Sequence, residues 1–379
     1  MASVFWLMVF LIAYPLVIYP WILWLWRSVA AWPVRRQSCQ PMVTVMIAAY
    51  NEKDCIEATL VNKLEQDYPA DKLDIVVISD DSDDGTEQVV EKFQGGRVRL
   101  LRQAPRSGKA SALNMGMRYA KGEIVVFSDA NSIFAKDAIA RLVENFADPE
   151  VGYVTGTLTY QTQGGVISSK GCGAYMKYEN KLRELESDFH SIIGVNGGID
   201  AVRKSLYNEI PPSLITDFVL PLHVISIGRR VIYDKRATNY EVPNENVEAE
   251  FRMRVRVALR ALQGLVYMSK LLNPLRYPRI AFSIVSHKWL RYLAPVFMIA
   301  ALVSNVILAF DGGVYGALLL LQLLIYGLGI LGVYVNVSGP LSGLTVFPAY
   351  FLLSNTAFLL AIYKFCRGEK MAIWEPRVG

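Results

Sequence analysis

The 379-residue sequence contains only four cysteines and three histidines. Cys39, Cys55, Cys172 and Cys366 are scattered without metal-site spacing, so nothing argues for a disulfide framework. His190, His223 and His287 make no ligand cluster. No internal repeat, low-complexity segment or aromatic–basic motif is present, which argues against a nucleic-acid partner. Charge is sparse as well, at 19% of residues, and it is unevenly placed. Val4 to Trp26 has none in 23 residues.

That run is long enough to span a bilayer. Trp6, Trp21, Trp24 and Trp26, with Tyr14 and Tyr19, fit interfacial anchoring. No Lys or Arg precedes the run and no small-residue cleavage site follows, which sets it apart from a secretory leader. Arg27, Arg35 and Arg36 come next, so the positive-inside rule puts the amino terminus outside and the following residues in the cytoplasm. Three more apolar stretches occupy roughly 290–310, 314–336 and 344–363. Three late crossings would leave the carboxyl terminus outside, whereas Lys364, Arg367, Lys370 and Arg377 favour the inside. The two counts conflict, and both topologies stay open. The net charge of +5 is read as membrane orientation and phosphate contact.

The polar block between these segments, about 40–245, is large enough for one domain with its own core. Val43–Ala49 reads as a strand, followed by Tyr50-Asn51-Glu52 and a helix from Cys55 to Gln66. A strand at Leu73–Ile78 runs into Ser79-Asp80-Asp81-Ser82-Asp83-Asp84-Gly85-Thr86. A helix to about Phe93, a strand at Arg97–Arg102 and a helix over Lys109–Lys121 follow. Ile124–Phe127 then reads as a buried central strand ending in Ser128-Asp129-Ala130-Asn131. Alternating β and α elements predict a mainly parallel sheet. Open sheets of this kind bind ligands beyond the carboxyl ends of their strands, where these polar groups collect. Asp129 and Asn131 are one residue apart and can face one hard cation. Taken locally, the same residues read equally as an Asp/Asn turn. Asp83 and Asp84 are expected to cap the helix near Thr86, whereas Asp80 could accept an N–H from a base edge. Lys109, after Gly108 at a helix start, would hold a phosphate.

Seven motifs in order resemble the family 2 inverting glycosyltransferases, over roughly 42–260. They are Ala49-Tyr50-Asn51-Glu52, Ser79–Thr86, Gly108-Lys109-Ala110 with Leu113-Asn114, and Phe127–Asn131. Gly152–Gly156, Gly194–Gly197 and Thr216–Leu222 complete the series. The flanking apolar segments are similar to the membrane-integrated branch, which includes chitin-oligosaccharide, hyaluronan and cellulose synthase-like enzymes. The resemblance implies a Rossmann-like α/β domain of the GT-A type with transmembrane helices at both ends. The implied divisions are a membrane helix at 1–30, a cytoplasmic catalytic domain at 40–245 and amphipathic interfacial helices at 246–288. Membrane helices at 289–366 and a tail at 367–379 complete them.

The implied activity is transfer of a sugar from a nucleotide sugar, UDP-linked, to a saccharide or lipid acceptor at a bacterial inner membrane. Nucleotide contacts would come from Ala49, Tyr50, Glu52, Asp80, Lys109, Asp129 and Arg256. Mg2+ or Mn2+ would sit on Asp129 and Asn131. Asn131 replaces the last acid of the family's Asp-x-Asp, so affinity would rest mainly on Asp129 and the diphosphate. Asp217 aligns with the catalytic base, although Thr216 stands where the family often has an acid. A helix cap is the other reading of Asp217. Asn196, Gly197 and Gly198 fall where relatives shape the acceptor pocket, and they read equally as a tight turn. Two alternatives remain: one-sugar transfer to a polyprenyl phosphate, and a non-catalytic membrane sensor or scaffold for nucleotides.

Glu250 begins a helix expected to reach about Leu272. Arg252, Arg256 and Arg260 stand four apart on one stripe. Like charges at that spacing repel, so the stripe implies an anionic partner. Acidic lipid headgroups are expected for most of it and a diphosphate for Arg256. Processive relatives carry Gln-x-x-Arg-Trp here. Met253-Arg254-Val255-Arg256-Val257 retains only the arginine, which weakens a polymerase reading.

Overall fold

The computed structural model describes residues 1–160, 167–241, 247–310, 312–334 and 342–370. Arg377 and the end of the 367–379 tail lie outside the described residues. The strands are β1 (Val43–Ala49), β2 (Leu73–Asp80), β3 (Val98–Gln103), β4 (Ile124–Asp129), β5 (Ile133–Phe134), β6 (Val151–Tyr160), β7 (Ile199–Arg203) and β8 (Arg230–Glu241). They form one sheet in the order β3-β2-β1-β4-β7-β6-β8-β5. The first four are mutually parallel, as the βα alternation predicts. Beyond β4 the sheet is mixed: β7 runs antiparallel to β4 and β6, and β8 pairs in parallel with β6. The prediction of a mainly parallel sheet therefore holds for the first half only.

Period-two alternation decides which side chains go to which face. Val43, Val45 and Ile47 join Ile75, Val77 and Val126 in a core on one face, closed by Ile56 and Leu60 of the helix Lys53–Leu64. Met46, Val76, Val125 and Phe127 join the opposite core with Leu113, Val219 and Leu259. Both faces are covered, which explains why β2 is buried at every position. In register, Ala49 stands beside Ser79 and Ala48 beside Asp129. The ends of β1, β2 and β4 thus share one edge. With β2 and β4 on either side of it, β1 marks the point where the strand order reverses, and a crevice opens there. Asn51 and Asp81 turn the chain out of β1 and β2 with φ of 53° and 64°, a region these two residue types tolerate.

Four helices among the described residues are long and apolar enough to cross a membrane: Ala2–Ala30, Pro278–Ala309, Val314–Tyr334 and Leu344–Cys366. The first packs on the second through Phe5, Ala301 and Leu308. A Cβ on Gly332 would fall 2.7 Å from the Thr345 carbonyl oxygen, so glycine allows the last two helices to approach closely. Each of the first two contains a π-helical turn, at Tyr14–Ile18 and at Ile284–Trp289.

The helix Val247–Tyr267 carries the arginine stripe. Its Val255, Leu259 and Leu262 are buried in the core with Phe218 and Val219. Three such side chains contribute roughly 1.5–3 kcal/mol each, against a few tenths of a kcal/mol per like-charge pair. Packing of this face therefore outweighs the repulsion along the stripe. Arg260 is buried and donates to the Leu214 carbonyl oxygen at 2.9 Å, and exposed Arg252 pairs with Glu248 at 2.8 Å.

Candidate active site

The crevice at the sheet edge opens into a cavity of about 380 Å³. Ala49, Tyr50 and Glu52 line it at and beyond the end of β1, Asp80 at the end of β2, and Asp129 and Asn131 at and beyond the end of β4. Lys109, Asn196, Gly197, Asp217 and Arg256 also reach it. Gly198 stands behind this wall, against Glu241, Ser132 and Asn239.

At the centre is the Lys109 ammonium. Its Nζ lies 2.7 Å from Asp129 Oδ1 and 3.3 Å from Asp217 Oδ2. Burial alone would lower its pKa, but the Asp129 and Asp217 carboxylates outweigh that and hold the ammonium above the usual lysine range. Asp129 remains 37% exposed and Asp217 23%, so both present oxygen to the cavity.

Asp80, expected to accept an N–H from a base edge, already accepts N–H bonds from the protein itself. It is buried, and its oxygens accept N–H bonds from Ser107 and Gly108, each at 2.8 Å. Gln103 Nε2 donates to it as well. The carboxylate thereby anchors the loop that delivers Lys109. Beside this loop Arg106 stacks on the Tyr50 ring at 3.5 Å, fixing the aromatic wall next to Ala49. The expected capping role falls to Asp84 alone, which accepts from Thr86 N at 2.9 Å and Lys53 N at 3.0 Å. Asp83 instead accepts from the Asn51 side chain.

Asp217 lies in the first turn of the helix Thr216–Ser226. Against it rests the loop Asn196–Gly198. Asn196 is tied down by its Nδ2 to the Gly156 carbonyl oxygen at 2.6 Å. Gly197 has φ +70°, and a Cβ there would stand 3.1 Å from Asp217 Oδ2. Only glycine gives this turn without crowding the carboxylate. Behind it Asp200, on β7, is fully buried, and its pKa is raised to about 7 by burial and by the nearby Asp217 carboxylate.

A divalent cation fits this set in one way. Among the described residues no three His, Cys, Asp or Glu side chains converge as an all-protein cage. One carboxylate, Asp129, and Asn131 line the cavity, and Lys109 already holds positive charge against Asp129. That suits an ion that keeps water and phosphate oxygens as its other ligands.

The opposite wall was not anticipated. His287, Lys288 and Arg291 enter the cavity from the span Pro278–Ala309, and Tyr175, Glu179 and Arg183 from the helix Ile167–Phe189. Arg291 and Glu179 form a close ion pair. His287 Nδ1 lies 2.7 Å from Glu186 Oε1. Burial alone would raise the Glu179 carboxyl, but Arg291 and His287 hold it well below the usual range. The available signal was charge inside an apolar span, which by itself marks a functional position.

Residues 44–210 match the glycosyl transferase family 2. The chain is similar to the poly-beta-1,6-N-acetyl-D-glucosamine synthase of Staphylococcus aureus (strain MSSA476), at 27% identity over 222 residues, covering 57% of this chain and 53% of that protein. The synthase of the same name from Staphylococcus epidermidis is 25% identical over 224 residues, with the same shares. The chain spans about half the length of the curated relatives it matches. Among solved structures, mannosyltransferase PcManGT from Pyrobaculum calidifontis, in complex with GDP-Man and Mn2+, superposes with a TM-score of 0.74 at 24% identity. That likeness covers 97% of this chain and 99% of the other, so the shared fold includes the apolar helices as well as the sheet domain.

Proposed function

We propose that the chain is a membrane-bound inverting glycosyltransferase that moves a sugar from a nucleotide sugar, UDP-linked, to a saccharide or lipid acceptor in the synthesis of a cell-surface polysaccharide or glycolipid. One observation carries the reading: a lysine held between two carboxylates, Asp129 and Asp217, at the switch point of the sheet. Such a site offers a cation to a diphosphate and a base to an incoming nucleophile.

Asp217 takes the proton of an acceptor hydroxyl as that oxygen bonds to the anomeric carbon. The bond from that carbon to the nucleoside diphosphate breaks, and its electron pair leaves with the diphosphate. Lys109 and Arg256 face that departing charge. A single displacement turns an α-linked donor into a β-linked product. Asp129 and Asn131 would hold Mg2+ or Mn2+, which would supply positive charge to the diphosphate. Tyr50, Glu52 and the Asp80-anchored loop shape the nucleotide end of the cavity, and Asn196 to Gly198 the acceptor end.

In this reading the sheet domain faces the cytoplasm of a bacterial inner membrane, supported by the arginines that follow the first span. The relatives' name suggests an N-acetylglucosamine donor, and the PcManGT complex holds GDP-Man, so both nucleotides belong in the test. Purified full-length protein in detergent, given Mn2+ and a panel of UDP- and GDP-linked sugars, is expected to release nucleoside diphosphate from a UDP-sugar. Release from GDP-sugars alone would overturn the UDP assignment. Release from none would favour the non-catalytic sensor.

A further inference from the structure

Among the described residues, the membrane-side wall of the cavity holds cations that are answered in all cases but one. Arg291 and Arg183 share Glu179, and Arg254 pairs with Glu250 at 2.9 Å. Lys288 makes no hydrogen bond or ion pair among the described residues, although it lines the cavity. It passes close over Gly194: a Cβ there would lie 2.6 Å from Lys288 Nζ. Glycine at 194 therefore leaves the channel through which the ammonium reaches the cavity. Glu179 and Glu186 act on Lys288 only from a distance and are already engaged by Arg183, Arg291 and His287, so Arg183, Lys288 and Arg291 leave an excess of positive charge that an anion would complete.

Three features define that anion. Gly194 lies three residues before Gly197, which touches Asp217, so the two Cα atoms are at most about 10 Å apart. Lys288 and Asp217 line the same cavity, so one ligand can reach both. Lys288 sits in the π-helical turn Ile284–Trp289 inside the span Pro278–Ala309. Tyr292 and Phe358 of two spanning helices line the same wall, their rings edge to face at 5.1 Å. The ligand's other end is thus apolar and in the membrane. Finally, a phosphate oxygen is already anionic near neutral pH and needs no base to attack, whereas a hydroxyl does.

We propose that Lys288 binds the phosphate of a lipid-linked saccharide acceptor and so sets the accepting hydroxyl of that saccharide against Asp217. The proposal rests on the reading of Asp217 as the base. It narrows the acceptor to a membrane-anchored phosphosaccharide, in place of a bare lipid phosphate or a neutral glycan.

Full-length protein in detergent tests it by thermal midpoint, with geranylgeranyl phosphate, geranylgeraniol and inorganic phosphate as separate probes. Only geranylgeranyl phosphate is expected to stabilise the protein. Lys288→Met should weaken its binding about tenfold to a hundredfold, the scale of one hydrogen bond to a charged group. Lys288→Arg should retain most of it, and nucleoside diphosphate affinity should be unchanged in both variants. Unaltered binding by Lys288→Met overturns the proposal, as does equal stabilisation by geranylgeraniol. Lys288-dependent stabilisation by inorganic phosphate alone overturns the lipid part. In turnover, a geranylgeranyl diphosphate-linked sugar should show the same rise in acceptor KM in Lys288→Met, with donor KM fixed. A wild-type protein that binds geranylgeranyl phosphate through Lys288 but releases no nucleoside diphosphate would sink the transferase reading and leave the phosphate site standing.

Discussion

Along the sheet edge, Lys109 answers Asp129 and Asp217, and backbone N–H groups answer Asp80. Along the membrane-side wall, Arg291 answers Glu179 from 112 residues away, and Lys288 makes no direct hydrogen bond or ion pair among the described residues. The first wall is made by strand register: once β1, β2 and β4 align, their terminal side chains must converge. The second is made by helix packing, which brings together residues with no local relation. A site of the first kind is preorganised for a fixed ligand part, such as a nucleotide. A site of the second kind can change with the acceptor while the fold stays the same.

The largest effect expected on the sheet-edge wall is that of Asp217→Asn. Removing a general base lowers turnover by about 10²–10⁴-fold. Nucleoside diphosphate affinity should change little, because Lys109 keeps Asp129 as its partner. A radiolabelled transfer assay paired with nucleotide titration separates the two. Full turnover by the variant would show that the base lies elsewhere.

Gly197→Ala should have a smaller effect. Its φ of +70° costs an alanine about 1–2 kcal/mol, and the new Cβ would press on Asp217 Oδ2 from 3.1 Å. The expectation is a loss in kcat of about tenfold to a hundredfold, since small misplacements of a catalytic group are expensive. Gly95 is the control: its φ is +101°, and a Cβ there would meet nothing within 4 Å. Gly95→Ala should lose stability and keep kcat. Equal kcat in both variants would mean that the loop does not position the base.

The two walls also differ in what their sequences disclose. Strand ends at Ala49, Asp80 and Asp129 were legible because buried parallel strands announce themselves as apolar runs stopped by polar residues. Boundaries were less so. The helix expected to reach Lys121 ends at Met117, because the chain must turn to bring Gly122 against Thr44, where a Cβ would lie 2.4 Å from the backbone nitrogen. The antiparallel half of the sheet was not read, since β7 is five residues long and pairs only with distant strands. The arginine stripe suggested a lipid surface because periodicity reports a face and not its neighbour. Placing the second span at 290–310 left Lys288 outside it, whereas the apolar helix starts at Pro278.

The smallest effect on turnover belongs to Asp200, which joins the two ends of the site without touching the cavity. Its pKa is raised to about 7 in the folded protein, against roughly 3.9 in an unfolded chain. Between those values the folded state binds the extra proton, so stability falls as pH rises from about 4 to about 7 and is level above that. Asp200→Asn removes the titrating group while keeping a neutral side chain of the same shape. The wild-type thermal midpoint should therefore decline across that window by several degrees more than the variant's, with turnover at pH 6 nearly equal. Parallel midpoint curves would mean that Asp200 ionises freely. The sheet-edge wall would then carry an unpaired buried charge of its own, and its contrast with the Lys288 side would fail.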